Sequence, residues 1–261
     1  MNKLFSIICL SCALSYVNTA QAYWWCPPWN WEGNFLVGAS AGYGERLGPI
    51  DITLVYTSPL QTIPSSFLIE DYTDKGFIGG FFAGYQVRYQ RFVFGGEFNI
   101  DWDNMTHDHF FAIDDANAQV GVLPGFGYSG LARYQREPTI GLSARIGYEI
   151  TRCFMPYIRL GLEQSDDKLI VAYAGNPAIY NFSVVTEGEH RQLRYVLGIG
   201  TEVPLPIFSF IGIRFEYDFH SRGKTSEALG IINDGLGFNP FFMNKINTKT
   251  HTGKLSIVWN I

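Results

Sequence analysis

The sequence predicts an all-β fold: an eight-stranded antiparallel up-and-down transmembrane β-barrel with short turns at one end and four long loops at the other. Three observations carry that expectation. Apolar residues recur at alternate positions, strictly in some and loosely in others, through eight segments, the period of a strand with one oily face. Short and long connections alternate strictly between those segments. The chain of 261 residues is 47% hydrophobic and only 16% charged, against roughly 25% charged in an ordinary soluble domain. Beyond the first twenty residues no stretch approaches the ~18 consecutive apolar residues of a helical span. With 21 Phe and 15 Tyr, the composition also excludes a disordered chain, which is poor in aromatics.

The amino-terminal segment reads as an export signal. Lys3 precedes an apolar run over 4–17 and the small-residue site Thr19-Ala20-Gln21-Ala22, so residues 1–22 are expected to be a signal peptide. The whole chain holds 19 basic and 24 acidic residues, a net of −5. Removing Lys3 with the signal leaves 18 against 24, a net of −6. A mildly acidic exported chain has no electrostatic reason to bind nucleic acid. Cys9 and Cys12 leave with the signal; Cys26 and Cys153 remain as a disulfide candidate in an oxidising compartment.

The strands follow in order. Segments 34–44 and 77–88 alternate loosely. Phe92, Phe94, Phe98, Ile100 and Trp102 then alternate with Val93, Gly95, Glu97, Asn99 and Asp101. Over 140–150 every even position is apolar or aromatic, while Gly141, Ser143, Arg145, Gly147 and Glu149 fill the odd ones. Segment 156–163 is less regular. Leu193, Tyr195, Leu197 and Ile199 alternate with Arg194, Val196, Gly198 and Gly200, and Ile211, Ile213, Phe215, Tyr217 and Phe219 with Gly212, Arg214, Glu216 and Asp218. In the last strand, over 249–261, Leu255, Ile257, Trp259 and Ile261 share a face.

Connections 89–91, 151–155 and 204–208 span a few residues, whereas 45–76, 103–138, 164–190 and 220–248 span roughly thirty each. All turns therefore fall at one end of the sheet and all loops at the other. Strands of this length cross a bilayer when tilted. Closure is required because an open edge in lipid would strand backbone N–H and C=O groups at several kcal/mol each. Phe35, Tyr85, Phe92, Tyr148, Tyr157, Phe208 and Trp259 are expected near the turn end, and Tyr43, Phe77, Trp102 and Phe219 near the loop end. Two aromatic girdles are what the two membrane interfaces select.

On these strands, connections and girdles the chain resembles the eight-stranded outer-membrane barrels of Gram-negative bacteria, namely the OmpA-like transmembrane domain and the opacity-type surface proteins. The resemblance covers nearly the whole mature chain and lies in architecture. It implies localisation in the cell outer membrane, with short periplasmic turns and four long extracellular loops, and outer-membrane lipid and lipopolysaccharide as surroundings. The domain reading is a signal over 1–22, a Trp-rich periplasmic leader over 23–33 and the barrel over 34–261.

The polar face of the strands is expected to line the lumen. Eight strands enclose a bore that side chains can fill. The expected network comprises Arg88, Arg145, Arg159, Arg194, Arg214 and Lys254 facing Glu97, Asp101, Glu149, Glu163, Glu202, Glu216 and Asp218. Near-balance of sign predicts a bore plugged by paired charge, whereas a selective pore would show one sign in excess. A small-solute pore is the alternative. Function is then expected in loops 45–76, 103–138, 164–190 and 220–248, through adhesion or recognition of a host or surface ligand, because long loops on rigid scaffolds carry recognition.

An enzymatic alternative rests on two triplets, Asp101-Trp102-Asp103 and Asp218-Phe219-His220, which close their strands. They look like the site of the omptin proteases, which joins an Asp pair to an Asp-His pair to activate water; the positions carried over are Asp101, Asp103, Asp218 and His220. Omptins have ten strands, and D-x-D and D-x-H are common at strand ends, so the expectation is no enzyme. Gly223-Lys224-Thr225 lacks the glycine that a phosphate loop needs at 218. His and Cys show no zinc spacing, and no metal or cofactor is expected.

Cys26 precedes the first strand and Cys153 lies in a turn, so both are expected at the periplasmic mouth. The seven residues from 27 to 33 reach roughly 23 Å when extended, enough to cross it.

Overall fold

A computed structural model describes residues 33–57, 62–113, 128–151, 153–175, 183–205, 208, 210–231 and 241–261. They form twelve strands: β1 (Asn34–Thr57), β2 (Thr62–Tyr89), β3 (Phe92–Asp103), β4 (Asp108–Ile113), β5 (Tyr128–Arg136), β6 (Thr139–Tyr148), β7 (Met155–Gly175), β8 (Ser183–Pro204), β9 (Ile211–His220), β10 (Ser226–Ile231), β11 (Phe241–Ile246) and β12 (Lys249–Asn260).

Eight of them close a ring. Around it run β1, β2, β3, β6, β7, β8, β9 and β12, each antiparallel to its neighbours. The ring shuts where β12 meets β1, from Leu36↔Asn260 to Leu47↔Lys249. The eight-stranded up-and-down barrel expected from the sequence is this ring.

The alternation has the expected sense. Phe81, Leu142, Ile199 and Leu255 stand exposed on the outer wall, while Glu97, Arg145, Arg159 and Arg214 are buried in the bore. An apolar wall this continuous is what lipid selects on the outside of a spanning barrel. Small residues make room inside. A Cβ at Gly80 would stand 2.0 Å from Asp101 Oδ1, and one at Gly198 would stand 2.3 Å from Asp218 Oδ1. One expectation fails here: Tyr157 does not join the outer girdle. It is buried in the bore, where its ring lies 5.4 Å from Arg145 and 5.5 Å from Arg214, because it shares the parity of Arg159.

The four long connections expected at one end of the ring carry strands of their own. The strands continue past the membrane. β1 and β2 stay paired up to Thr57↔Thr62, and β7 and β8 up to Ala174↔Ser183. A register shift between Gly48 and Ile50 marks the passage, a bulge of the kind that bends and twists a strand. The two other long connections supply hairpins, β4–β5 and β10–β11. β11 pairs with the outer half of β1 (Ile50↔Ile246 to Val55↔Phe241) and β5 with the outer half of β7. The result is a second storey on the barrel, ordered β2-β1-β11-β10-β8-β7-β5-β4. Among the described residues no ladder joins β4 back to β2.

This storey has an apolar interior. Ile50, Ile52, Tyr72, Ala132, Tyr134, Leu169, Val171, Tyr173, Ala228, Phe242 and Ile246 form one buried cluster, with the rings of Tyr173 and Phe242 stacked 4.3 Å apart. At about 25 cal/mol per Å² of apolar surface removed from water, such a core makes the extracellular part a folded body.

Candidate functional site

The bore is filled in successive layers. At the periplasmic mouth Arg88 pairs with Glu149. Leu36, Phe82 and Val258 form a small apolar cluster in the bore. Arg214 then donates two 3.0 Å hydrogen bonds to Glu97 and one of 3.2 Å to Glu202. Arg145 reaches Glu202 at 2.7 Å and Glu97 at 3.0 Å. In the next layer Arg159 donates to Glu216 at 2.6 Å, to Ser143 at 2.9 Å and to Asn99 at 3.0 Å, and the Tyr157 hydroxyl donates to Glu216 at 2.6 Å. Lys254 lies 3.1 Å from Asp101 and 3.6 Å from Asp218. Amid Glu97, Asp101, Arg159, Arg214, Glu216 and Lys254 the remaining space is on the order of a single water.

Higher still, His220 Nδ1 meets Glu163 at 2.7 Å and its Nε2 meets Thr252 at 3.3 Å. Arg194 donates to Ser165 at 2.7 Å, to the Tyr134 hydroxyl at 3.1 Å and to Asp167. Arg46 closes the column, with its guanidinium on both oxygens of Asp103 (3.0 and 2.8 Å) and on the Met105 carbonyl at 2.8 Å. Every cation of the expected network thus meets an anion, or more than one. Burying charges costs several kcal/mol each, and only close pairing with further hydrogen bonds offsets it.

The rim constellation does not assemble. Asp101 is occupied by Lys254, Asp103 by Arg46 and His220 by Glu163, and all lie inside the bore. The four side chains are distributed over three layers; Asp218, 3.6 Å from both Lys254 and Arg159, shares those cations with Asp101 and Glu216, and its carboxylate has no hydrogen bond of its own among the described residues.

Arg46, Arg136, Asp74 and Asp167, all buried, belong to the same column and are not in the sequence-derived set. They lie in segments read as loops. On β7 both faces turn apolar over Leu169–Ala172, so period two, the signal used, fades where they sit. In the upper storey burial pushes the Tyr72 and Tyr173 hydroxyls far above the usual tyrosine range. For Tyr72 the neighbouring Asp74 carboxylate adds to that effect, so it stays a proton donor to Asp74.

The outside of the upper storey carries its own pattern. Opposed positions on β7 and β8 are Ala172↔Val185, Ile170↔Glu187 and Lys168↔Glu189. β10 continues with Leu229↔Glu187, and β11 with Ile231↔Phe241, Leu229↔Met243 and Glu227↔Lys245. Val185 and Ile231 are 65% and 66% exposed. An apolar row therefore stands at the top, above a belt of ion pairs: Lys168–Glu187, Arg191–Asp166 at 3.2 Å and Lys245–Glu227 at 3.1 Å. Cys153, in the β6–β7 turn, is disulfide-bonded; Cys26 lies outside the described residues.

No protein-family model matches the chain, and no curated protein matches it. Among solved structures it is similar to the attachment invasion locus protein Ail of Yersinia pestis, at 12% identity over 87% of this chain and 99% of that one, with a TM-score of 0.33. It is similar to Neisserial surface protein A at 12% identity, over 85% and 95% of the two chains, with a TM-score of 0.33. It is also similar to the outer membrane protease OmpT of Escherichia coli at 7% identity, over 87% and 97%, with a TM-score of 0.46. No residue role passes from them to this chain. Its own closed ring, lipid-facing wall and paired interior make it a β-barrel of the outer-membrane class, seated in the cell outer membrane.

Proposed function

We propose that the chain is an outer-membrane surface protein whose barrel is an anchor and whose folded extracellular storey carries adhesion or recognition, with a contribution to envelope integrity. The observation that carries this reading is the double filling of the bore, by paired charge within the membrane and by an apolar core above it. A bore closed by two different chemistries leaves no aqueous path, so function lies on the outer surfaces. The wall meets outer-membrane lipid and lipopolysaccharide. The row formed by Val185, Leu229 and Ile231 is exposed apolar surface in water, of the kind that marks contact sites. The pairing of Asp101, Asp103 and His220 with Lys254, Arg46 and Glu163 inside the bore supports a chain that is not a hydrolase.

The test is expression in an outer membrane that lacks the protein, with solute permeability and adhesion to a ligand-coated surface read together. Permeability should stay at the level of the host. Adhesion should rise with the native chain and fall with a Val185→Ser, Leu229→Ser, Ile231→Ser variant that still inserts. Raised permeability to small solutes, or adhesion unaltered by that variant, overturns the reading.

Residues 1–22 act in the same proposal as the signal peptide and 23–33 as a periplasmic leader, tied beneath the mouth by a Cys26–Cys153 disulfide.

A further inference from the structure

The outer face of the upper storey carries a second apolar band. Ladder partners place Phe110, Leu131, Ala172 and Val185 at one height, through Phe110↔Leu131, Leu131↔Ala172 and Ala172↔Val185. Leu229↔Glu187 sets Ile231 level with Val185, and Ile231↔Phe241 carries the row on to β11. One apolar level thus runs along the outside of six neighbouring strands, β4, β5, β7, β8, β10 and β11. Phe110 is 82% exposed, Ile231 66% and Val185 65%.

A charged belt parts this band from the lipid-facing wall below. On β8 the outward residues after Leu193 are Arg191, Glu189 and Glu187, so Val185 stands roughly 26 Å further along the strand at ~3.3 Å per residue. On these six strands the belt's cations are spent on anions: Arg133 on Asp108, Lys168 on Glu187, Arg191 on Asp166 and Lys245 on Glu227. Glu189, opposite Lys168 on the ladder, adds one more anion. The belt therefore presents no positive excess. Above the band the outward positions Ala112, Ser129, Ala174 and Ser183, which pair in turn, are small and uncharged.

We propose that this band inserts into the surface of an apposing lipid membrane with zwitterionic, phosphatidylcholine-type headgroups. The inference rests on the adhesion reading above and names what the storey adheres to. A protein partner meets one side of a cylinder, whereas a lipid layer perpendicular to its axis meets every side at one height, as the row requires. Apolar residues at one level, bounded by polar ones, are how proteins sit in a lipid interface. Anionic headgroups draw on cationic excess, which these strands do not offer. Paired charges match headgroups that carry both signs.

The experiment uses the full chain in nanodiscs and phosphatidylcholine vesicles, with capture read by co-flotation against empty nanodiscs. Capture is expected, and admixed phosphatidylglycerol should not strengthen it. The Phe110→Ser, Val185→Ser, Ile231→Ser variant should weaken it by roughly ten-fold or more, since binding scales with the apolar area inserted. Emission from an Ile231→Trp chain should fall when the vesicle lipid carries bromine on its acyl chains. Serine on the outer face leaves both interiors untouched, and heat-modified mobility on gels verifies the folded barrel. Absent capture, capture unaltered by the triple variant, Ile231→Trp emission indifferent to bromine, or nanodiscs that associate with one another through these residues instead, each overturns the proposal. Adhesion of the native chain to protein- or glycan-coated surfaces without vesicle capture overturns it too and leaves the adhesion reading standing; absence of both defeats the two together.

Discussion

Arg214 of β9 grips Glu97 of β3 across the full width of the bore, through two hydrogen bonds of 3.0 Å. The two strands stand opposite each other in the ring of eight, so this clamp is a diameter of the barrel. The Phe82 ring lies 4.8 Å from the guanidinium, and Glu202 shares it at 3.2 Å.

Removing one end of this clamp should cost more than removing both. Glu97→Ala strands a buried guanidinium and should lower unfolding stability by about 3–5 kcal/mol. Glu97→Leu with Arg214→Met replaces the pair by apolar volume and should recover most of that loss. Urea unfolding from lipid vesicles measures it. Additive losses in the double variant would show that the pair is not a unit.

Opening the lower network should not by itself open a channel. The buried core around Tyr173 and Phe242 closes the same axis by a different chemistry. Planar bilayers holding the Glu97→Ala, Arg214→Ala chain should remain without steady conductance, which should appear only when Tyr173→Ala and Phe242→Ala are added. Steady current from the lower pair alone would contradict the two-seal account.

The upper storey should loosen in alkali. Burial raises the Tyr72 and Tyr173 hydroxyls above their ordinary value of 10.0. As pH climbs through 10, the unfolded chain releases these protons first and the folded chain retains them. The unfolded state then binds fewer protons, so stability falls with rising pH. Proteolysis of the extracellular storey should quicken above that pH in the native chain. A Tyr72→Phe, Tyr173→Phe chain should show a smaller rise; an identical pH profile would refute the assignment.

Gln90 holds a φ of 56° in the tight β2–β3 turn, between Tyr89 and Phe92, which pair across it. A side chain there costs about 1–2 kcal/mol, and glycine avoids this at some entropic expense. Gln90→Gly should stabilise the chain by up to about 1 kcal/mol, as read by unfolding midpoints, whereas Gln90→Val should do the reverse.

Peptide mapping without reduction should return one cross-linked pair containing Cys26 and Cys153. A fragment joining Cys153 to a second chain would dismiss the proposed tether.

The barrel was legible in the sequence because each wall strand faces two solvents at once. Lipid on one side and a polar bore on the other impose a strict period of two, and Ile140 to Ile150 shows it residue by residue. The same parity placed Arg145, Arg159, Arg194 and Arg214 inside before any partner was known. Which acid each one meets was not legible, because partners such as Arg214 and Glu97 come from strands that face each other across the bore only once the ring closes.

The second storey was hidden for a related reason. Beyond the membrane the outer wall faces water and the interior is apolar, the reverse of the barrel below. The bulge at Gly48 and Ile50 shifts the register, and β7 carries apolar residues on both faces. Ile50 pairs with Ile246, and Arg136 with Asp167. Such ladders join segments far apart in the chain, and no local pattern encodes them. The sequence by itself determined the solvent of each strand face, hence the ring and its lumen. The tertiary structure alone decided that the long connections pair into a continuation of the barrel, because hydrogen-bond partners are chosen by proximity in space.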